Sequence, residues 1–157
     1  MPNNQGLSKR DDPYYQAQDI LSRRDHSEAE VRDKLKRKKF TDSQIAPVMA
    51  WLKERQLLDD ERFATIFIEN TLLFKPVGPR WIKYKLMQKK VASSIVAEAL
   101  KASYPPPQES VIIQQAIASW QRQHRQFDQT RLSRFLLSRG FSPDVVSQAI
   151  NDLRNPP

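Results

Sequence analysis

From Ser27 onward, apolar residues fall at Val31, Leu35, Phe40, Ile45, Met49 and Leu52, helical spacings interrupted by one short break. The same order returns after Arg80 as Ile82, Leu86, Val91, Val96 and Leu100, and after Thr130 as Leu132, Leu136, Phe141, Val146, Ile150 and Leu153. Matched positions are displaced by 51 residues and then by 50, with no gap inside a copy. That register predicts tandem structural units, each contributing two helices joined at a tight break.

Polar residues supply the boundaries. "SEAE" (Ser27, Glu30) and "TDSQ" (Thr41, Gln44) are capping boxes, in which side chains satisfy the free amides of a first helical turn. In the third copy, "RGFSPDVV" places Gly140 at a helix end, Ser142 at an N-cap and Pro143 at the first helical position. In the middle copy Pro79 opens a helix after Gly78, and Ser93 or Ser94 is expected to cap the next.

Ahead of each pair lies a further amphipathic segment. These run from Tyr15 to Arg24, from Asp60 to Phe74 with Phe63, Phe67 and Ile68 inward, and from Glu109 to Gln123 with Ile112, Ile113, Ala116, Ile117 and Trp120 inward. The sequence thus predicts an all-α protein of three tandem three-helix repeats, over residues 14–57, 58–104 and 105–155, after a flexible N-terminal tail over 1–13. The prolines at 105–107 are expected to form a stiff, extended joint between the second and third repeats. A three-helix unit of about 50 residues buries a small core, so the repeats are expected to lean on one another in an elongated, curved body. With three glycines and little β-branched alternation, strands and hairpins have scant support.

Composition narrows the partners. The chain has 157 residues, with 26 Lys and Arg against 18 Asp and Glu, a net charge of +8 and an isoelectric point near 9.9. Clustered cations speed association with polyanions, and nucleic acid leads that group, although a solvated basic surface is the plainer reading. The absence of cysteine excludes disulfides and thiolate metal sites and fits a reducing compartment. No apolar run approaches the roughly 18 to 20 residues needed to span a bilayer, and the polar start lacks a signal-peptide core. The expectation is a soluble, cytoplasmic monomer without membrane association.

Catalysis has little to build on. His26 and His124 are the two histidines, and neither a phosphate-binding glycine loop nor a zinc or nucleophile motif occurs. In "LDDERF", Asp59, Asp60 and Glu61 offer a divalent-cation site for a nuclease, but acids at a helix start also cap amides and oppose the helix dipole, and that structural reading is preferred. His26, beside the Ser27 cap, reads as a loop or capping residue. The expectation is a non-enzyme with no cofactor and no metal.

Three basic clusters occupy equivalent second helices. "RDKLKRKK" contains Arg32, Lys36 and Arg37; "RWIKYKLMQKK" contains Arg80, Lys83, Lys85 and Lys89; "RLSRFLLSR" contains Arg131 and Arg134. Cations in a last helical turn offset the dipole, which accounts in part for Lys38, Lys39, Lys89, Lys90 and Arg139, while Lys89 also continues the flank of Lys85 and stays a candidate for partner contact. The remaining cations, with Trp81 and Tyr84 on the side of the middle helix away from Ile82 and Leu86, are candidate contacts with a partner surface or with stacked bases, or else packing against an adjacent helix.

Three stretches, "SRRDHSEAEVRDKL", "LLDDERFATIFIENT" and "GPRWIKYKLMQKKV", resemble in order and spacing the RecX family, the regulators of the RecA recombinase. The resemblance covers roughly residues 15–155 and implies a tandem three-helix-repeat fold. It also implies a non-enzymatic protein that binds RecA filaments on DNA, with single- or double-stranded DNA met directly or through RecA. The implied role is to restrain filament growth, ATP hydrolysis and strand exchange in recombination, repair and the SOS response. Residues matching family motifs are Arg24, Asp25, His26, Ser27, Glu30, Leu35, Leu58, Asp59, Asp60, Arg62, Phe63, Gly78, Pro79, Ile82 and Leu86, most of which read as caps and core. A helical-repeat protein that binds DNA without an obligate protein partner is the alternative.

Overall fold

The computed structural model describes residues 6–156, and these contain helices and no strand. The described residues form nine helices: α1 Pro13–Arg23, α2 Glu28–Arg37, α3 Asp42–Glu54, α4 Asp60–Phe74, α5 Pro79–Gln88, α6 Ser93–Ser103, α7 Pro106–Gln123, α8 Gln129–Ser138 and α9 Pro143–Arg154. Of the expected N-terminal tail, residues 1–5 lie outside the described part. Ser8 to Asp12 form a turn in which Ser8 O accepts from Asp11 N at 2.9 Å, and Gln16 Nε2 donates to Lys9 O at 2.7 Å.

Both capping boxes form. Glu30 N donates to Ser27 Oγ and Ser27 N to Glu30 Oε2, and the same reciprocal pair joins Thr41 and Gln44. The start of α6 differs from expectation: Ala92 is the N-cap and makes no side-chain bond, which puts Ser93 inside the helix. The proline joint is also shorter than expected. Pro105 is extended, but Pro106 and Pro107 begin α7, because the first helical positions need no amide donor.

Helices α2, α5 and α8 end alike. Lys39, Lys90 and Gly140, spaced by the same 51 and 50 residues, adopt positive φ of 68°, 56° and 82°. Behind this left-handed residue Phe40 N donates to Leu35 O and Phe141 N to Leu136 O, closing the last turn and turning the apolar side chain into the core.

Burial follows the repeat. All matched positions from Val31 to Met49, from Ile82 to Val96 and from Leu132 to Ile150 are buried. Leu100 is half-buried, and Leu153, expected in the core, lies 36% exposed near the end of α9.

The chain divides into two compact units: residues up to Phe63 together with Lys89–Val91, and Ala64–Gln88 together with the residues from Ala92 onward. In the first, α1, α2 and α3 pack mutually around Ala17, Val31, Leu35, Ile45, Val48 and Leu52. Tyr14 meets Trp51 edge-on, with centroids 5.5 Å apart. In the second, α7, α8 and α9 pack mutually and α5 packs on α6. Ile82, Leu86, Ile113, Leu132, Leu136 and Phe141 are its largest fully buried side chains apart from Ile68 of α4. Tyr104 Oη, buried, donates to Val77 O at 2.9 Å, and burial raises its pKa. Glu109 is buried on α7, accepting from Ser142 N at 2.7 Å, so a carboxylate from a neighbouring helix closes the start of α9.

Candidate partner-binding surface

Within the first unit the motif residues form one network. Glu30 receives Ser27 N, the Arg24 guanidinium at 3.2 Å and Lys89 Nζ at 2.8 Å. Burial pushes its carboxyl up, but the bonds from Arg24, Lys89 and Ser27 outweigh that and hold it at about 2. Ser27 Oγ donates to Lys89 O at 2.7 Å. Lys89, a candidate for partner contact from sequence, thus pairs with Glu30, with its Nζ 6.0 Å from the centroid of the buried Phe63 ring. Sequence periodicity does not reveal this carboxylate 59 positions away.

His26 is 3% exposed. Its Nδ1 lies 2.8 Å from Arg24 O and its Nε2 2.9 Å from Lys34 Nζ. Burial lowers its pKa, which fits a neutral ring donating to the carbonyl and accepting from the ammonium. The acidic stretch caps helices. Asp59 Oδ1 accepts from Arg62 N at 3.1 Å, while Asp60 Oδ1 accepts from Glu28 N at 2.9 Å, and burial raises the Asp60 pKa. Arg62 also donates to Gln56 O. Leu58 is buried, and Asp25 is exposed with its carbonyl bonded to Arg24. Among the described residues no group of three or more acidic or histidine side chains is placed to hold a metal ion.

The candidates that face outward lie on α2, α5 and α8. Arg32, Lys36 and Arg37 are exposed on α2, with Lys36 paired to Asp42 at 3.2 Å. Arg131 and Arg134 are exposed on α8, Arg131 pairing with Asp128.

On α5, Ile82 and Leu86 are fully buried, and the opposite face carries Arg80, Lys83 and Tyr84 in solvent. Trp81 is half-buried and flanked by two cations, Lys75 Nζ at 5.7 Å and Lys85 Nζ at 5.4 Å from its centroid. Lys85 also lies 5.8 Å from the Tyr84 ring, and Gln88 donates to Tyr84 Oη at 2.8 Å. The start of α5 is held by backbone: Gly78 N donates to Arg139 O and Arg80 N to Gly140 O. A Cβ on Gly78 would fall 2.2 Å from the Gly140 carbonyl, and one on Gly140 would fall 2.2 Å from Trp81 N. This clamp seats Trp81 and presents the outer face of α5 as a fixed aromatic and cationic strip.

Sequence reasoning missed Lys75, Leu73 and Phe74. Lys75 follows α4 and reaches Trp81 from outside the helix, while Leu73 and Phe74 are exposed. The signal was "LLFKP", an apolar pair set against a lysine and the proline that ends the helix.

Residues 14–52 match the family model described as RecX, first three-helix domain, and residues 59–100 match RecX, second three-helix domain. The regulatory protein RecX of Prosthecochloris aestuarii is 33% identical over 135 residues, covering 85% of this chain and 87% of that protein. The regulatory protein RecX of Caldanaerobacter subterraneus subsp. tengcongensis is 29% identical, covering 84% of this chain and 66% of that protein. The chain spans half the length of the Oceanobacillus iheyensis relative. The crystal structure of RecX from Lactobacillus salivarius shares the fold, with a TM-score of 0.82 over 93% of this chain and 97% of that one at 22% identity. With two tandem domains matched in order, and a relative aligned over most of both lengths, the chain belongs to the RecX family of regulatory proteins.

Proposed function

We propose that this protein binds RecA filaments on DNA and restrains their growth, ATP hydrolysis and strand exchange. The observation that carries the reading, beside family membership, is the outer face of α5, where Arg80, Lys83 and Tyr84 are exposed and Trp81 sits between Lys75 and Lys85. A rigid aromatic among cations is the composition of a protein interface with an acidic partner. Arg32 and Arg37 on α2 and Arg134 on α8 extend the basic character to the equivalent helices. On this reading the protein acts in the cytoplasm, in recombination and repair, as a regulator without catalysis of its own.

Single-strand-DNA-dependent ATP hydrolysis by RecA tests the proposal. Substoichiometric protein should inhibit it, and Lys83→Glu/Lys85→Glu should inhibit about tenfold less while keeping its helicity, because surface changes cost little folding energy. No inhibition by the wild type under filament-forming conditions would remove the reading. The three basic helices also favour DNA binding without RecA. In that case affinity for DNA alone should fall steeply with salt, by roughly 0.9 in log–log slope per neutralised phosphate.

A further inference from the structure

The last turn of α4 leaves its bulkiest apolar side chains in water. Leu73 is 75% and Phe74 82% exposed, above any other large hydrophobic side chain of the described residues. Keeping each of them solvated forgoes the gain of burying a large apolar side chain. The fold does not ask for this, since α4 contributes Ala64 and Ile68 to the core from another face. Single exposed apolar residues are ordinary, whereas an adjacent pair rimmed by charge marks an interaction site. Lys75 follows directly, with its Nζ over Trp81, and Lys85 lies over the same ring. From Asn70 to Ala97 the sequence contains no acidic residue.

We infer that Leu73 and Phe74 form the apolar anchor of a protein-binding surface that seats in an apolar pocket rimmed by carboxylates, with Lys75 and Lys85 meeting that rim. The inference rests on the RecA reading above and adds to it which residues grip and by what chemistry. The occupant is a protein pocket for two reasons. An aliphatic Leu has no ring with which to stack on a base, so nucleic acid would leave half of the pair unused. A second copy of this chain would set one acid-free basic patch against another, at a cost in like-charge repulsion. An apolar anchor at the centre of an interface carries most of the affinity, while the flanking charges set the encounter rate.

The test measures binding of the full-length Leu73→Ser/Phe74→Ser variant to RecA filaments preformed on single-stranded DNA. Controls are circular dichroism, affinity for single-stranded DNA alone, and sedimentation of the free protein. Filament affinity should fall by about thirtyfold, mainly through faster dissociation, and by a similar factor at about 0.1 and 0.3 M salt. Phe74→Leu should retain most of the binding, and Lys75→Glu/Lys85→Glu should lose mainly association rate, in a salt-dependent way. Should the double variant lose helicity, Phe74→Ala is read in its place. Filament binding equal to wild type would overturn the anchor and leave the RecA reading standing, whereas a wild type that does not bind filaments would remove both. An equal loss of affinity for free DNA would make the pair a nucleic-acid contact, and a wild-type dimer dispersed by the variant would make it a self-association surface. Either result overturns the proposal.

Discussion

Glu30 holds more partners than a capping box requires. Beyond the Ser27 amide it binds Arg24 and Lys89, and those bonds keep its carboxyl at about 2 against the ordinary 4.5 in spite of burial. A carboxyl lowered by folding stabilises the native state fully above its unfolded pKa, and that contribution is lost as pH falls through the folded value. Glu30→Gln should therefore cost about 2 kcal/mol at neutral pH, the scale of hydrogen bonds to a charged group. The gap from wild type should narrow as pH falls from 4.5 toward about 2. Urea unfolding followed by circular dichroism across that range reads both numbers. A gap independent of pH would assign the stabilisation to packing rather than to charge. Lys89 explains why this residue was hard to weigh from sequence: Glu30 was legible as the third residue of a cap, because a capping box is local, but not as the anchor for a lysine 59 positions later.

At the scale of the helix, one turn chemistry recurs under different constraints. Lys39 is exposed and adopts φ of 68°, a left-handed conformation that costs a side-chain-bearing residue roughly 1–2 kcal/mol. Lys39→Gly should therefore raise stability by up to about 1 kcal/mol. Gly140 shares that backbone but has no room for a Cβ, which would fall 2.2 Å from Trp81 N. Gly140→Ala should accordingly cost about 3 kcal/mol or more, since strain and collision act together. Thermal unfolding of the two variants should move in opposite directions, and equal small shifts would refute the assigned roles. The sequence wrote these ends in its apolar register, which predicted a break before Phe40, Val91 and Phe141 and committed Ile82 and Leu86 to the core. It could not reveal that Ala92 rather than Ser93 caps α6, or that two of three prolines fit inside α7, since both depend on where a neighbouring turn places the backbone. The exposure of Leu73 and Phe74 was hidden for the same reason: a helical period identifies apolar positions, but tertiary packing decides which of them a core covers.

Across the whole molecule, one junction is used twice. Ser27 and Gly78, 51 residues apart, each bind the carbonyl of a residue closing a later second helix: Ser27 Oγ meets Lys89 O, and Gly78 N meets Arg139 O. Each bond lies inside one compact unit, the first joining Lys89–Val91 to α2 and the second joining α5 to the α8–α9 turn. In a repeat protein, stability is carried by such nearest-neighbour contacts as much as by each repeat's own core. Damage behind the turn should therefore appear at the helix start that it clamps. Phe141 is fully buried beside Gly140, and Phe141→Ala should remove about 3–5 kcal/mol. Hydrogen exchange at the Gly78 and Arg80 amides, which donate to Arg139 O and Gly140 O, should then accelerate by more than about a hundredfold if those bonds open with the unit. Phe40→Ala, in the first unit, should instead accelerate the Val31 and Leu57 amides of its own unit. If Phe141→Ala left Gly78 and Arg80 as slow as in the wild type, the clamp would be a passive contact, and α5 would owe its fixed presentation of Trp81 to Ile82 and Leu86 alone.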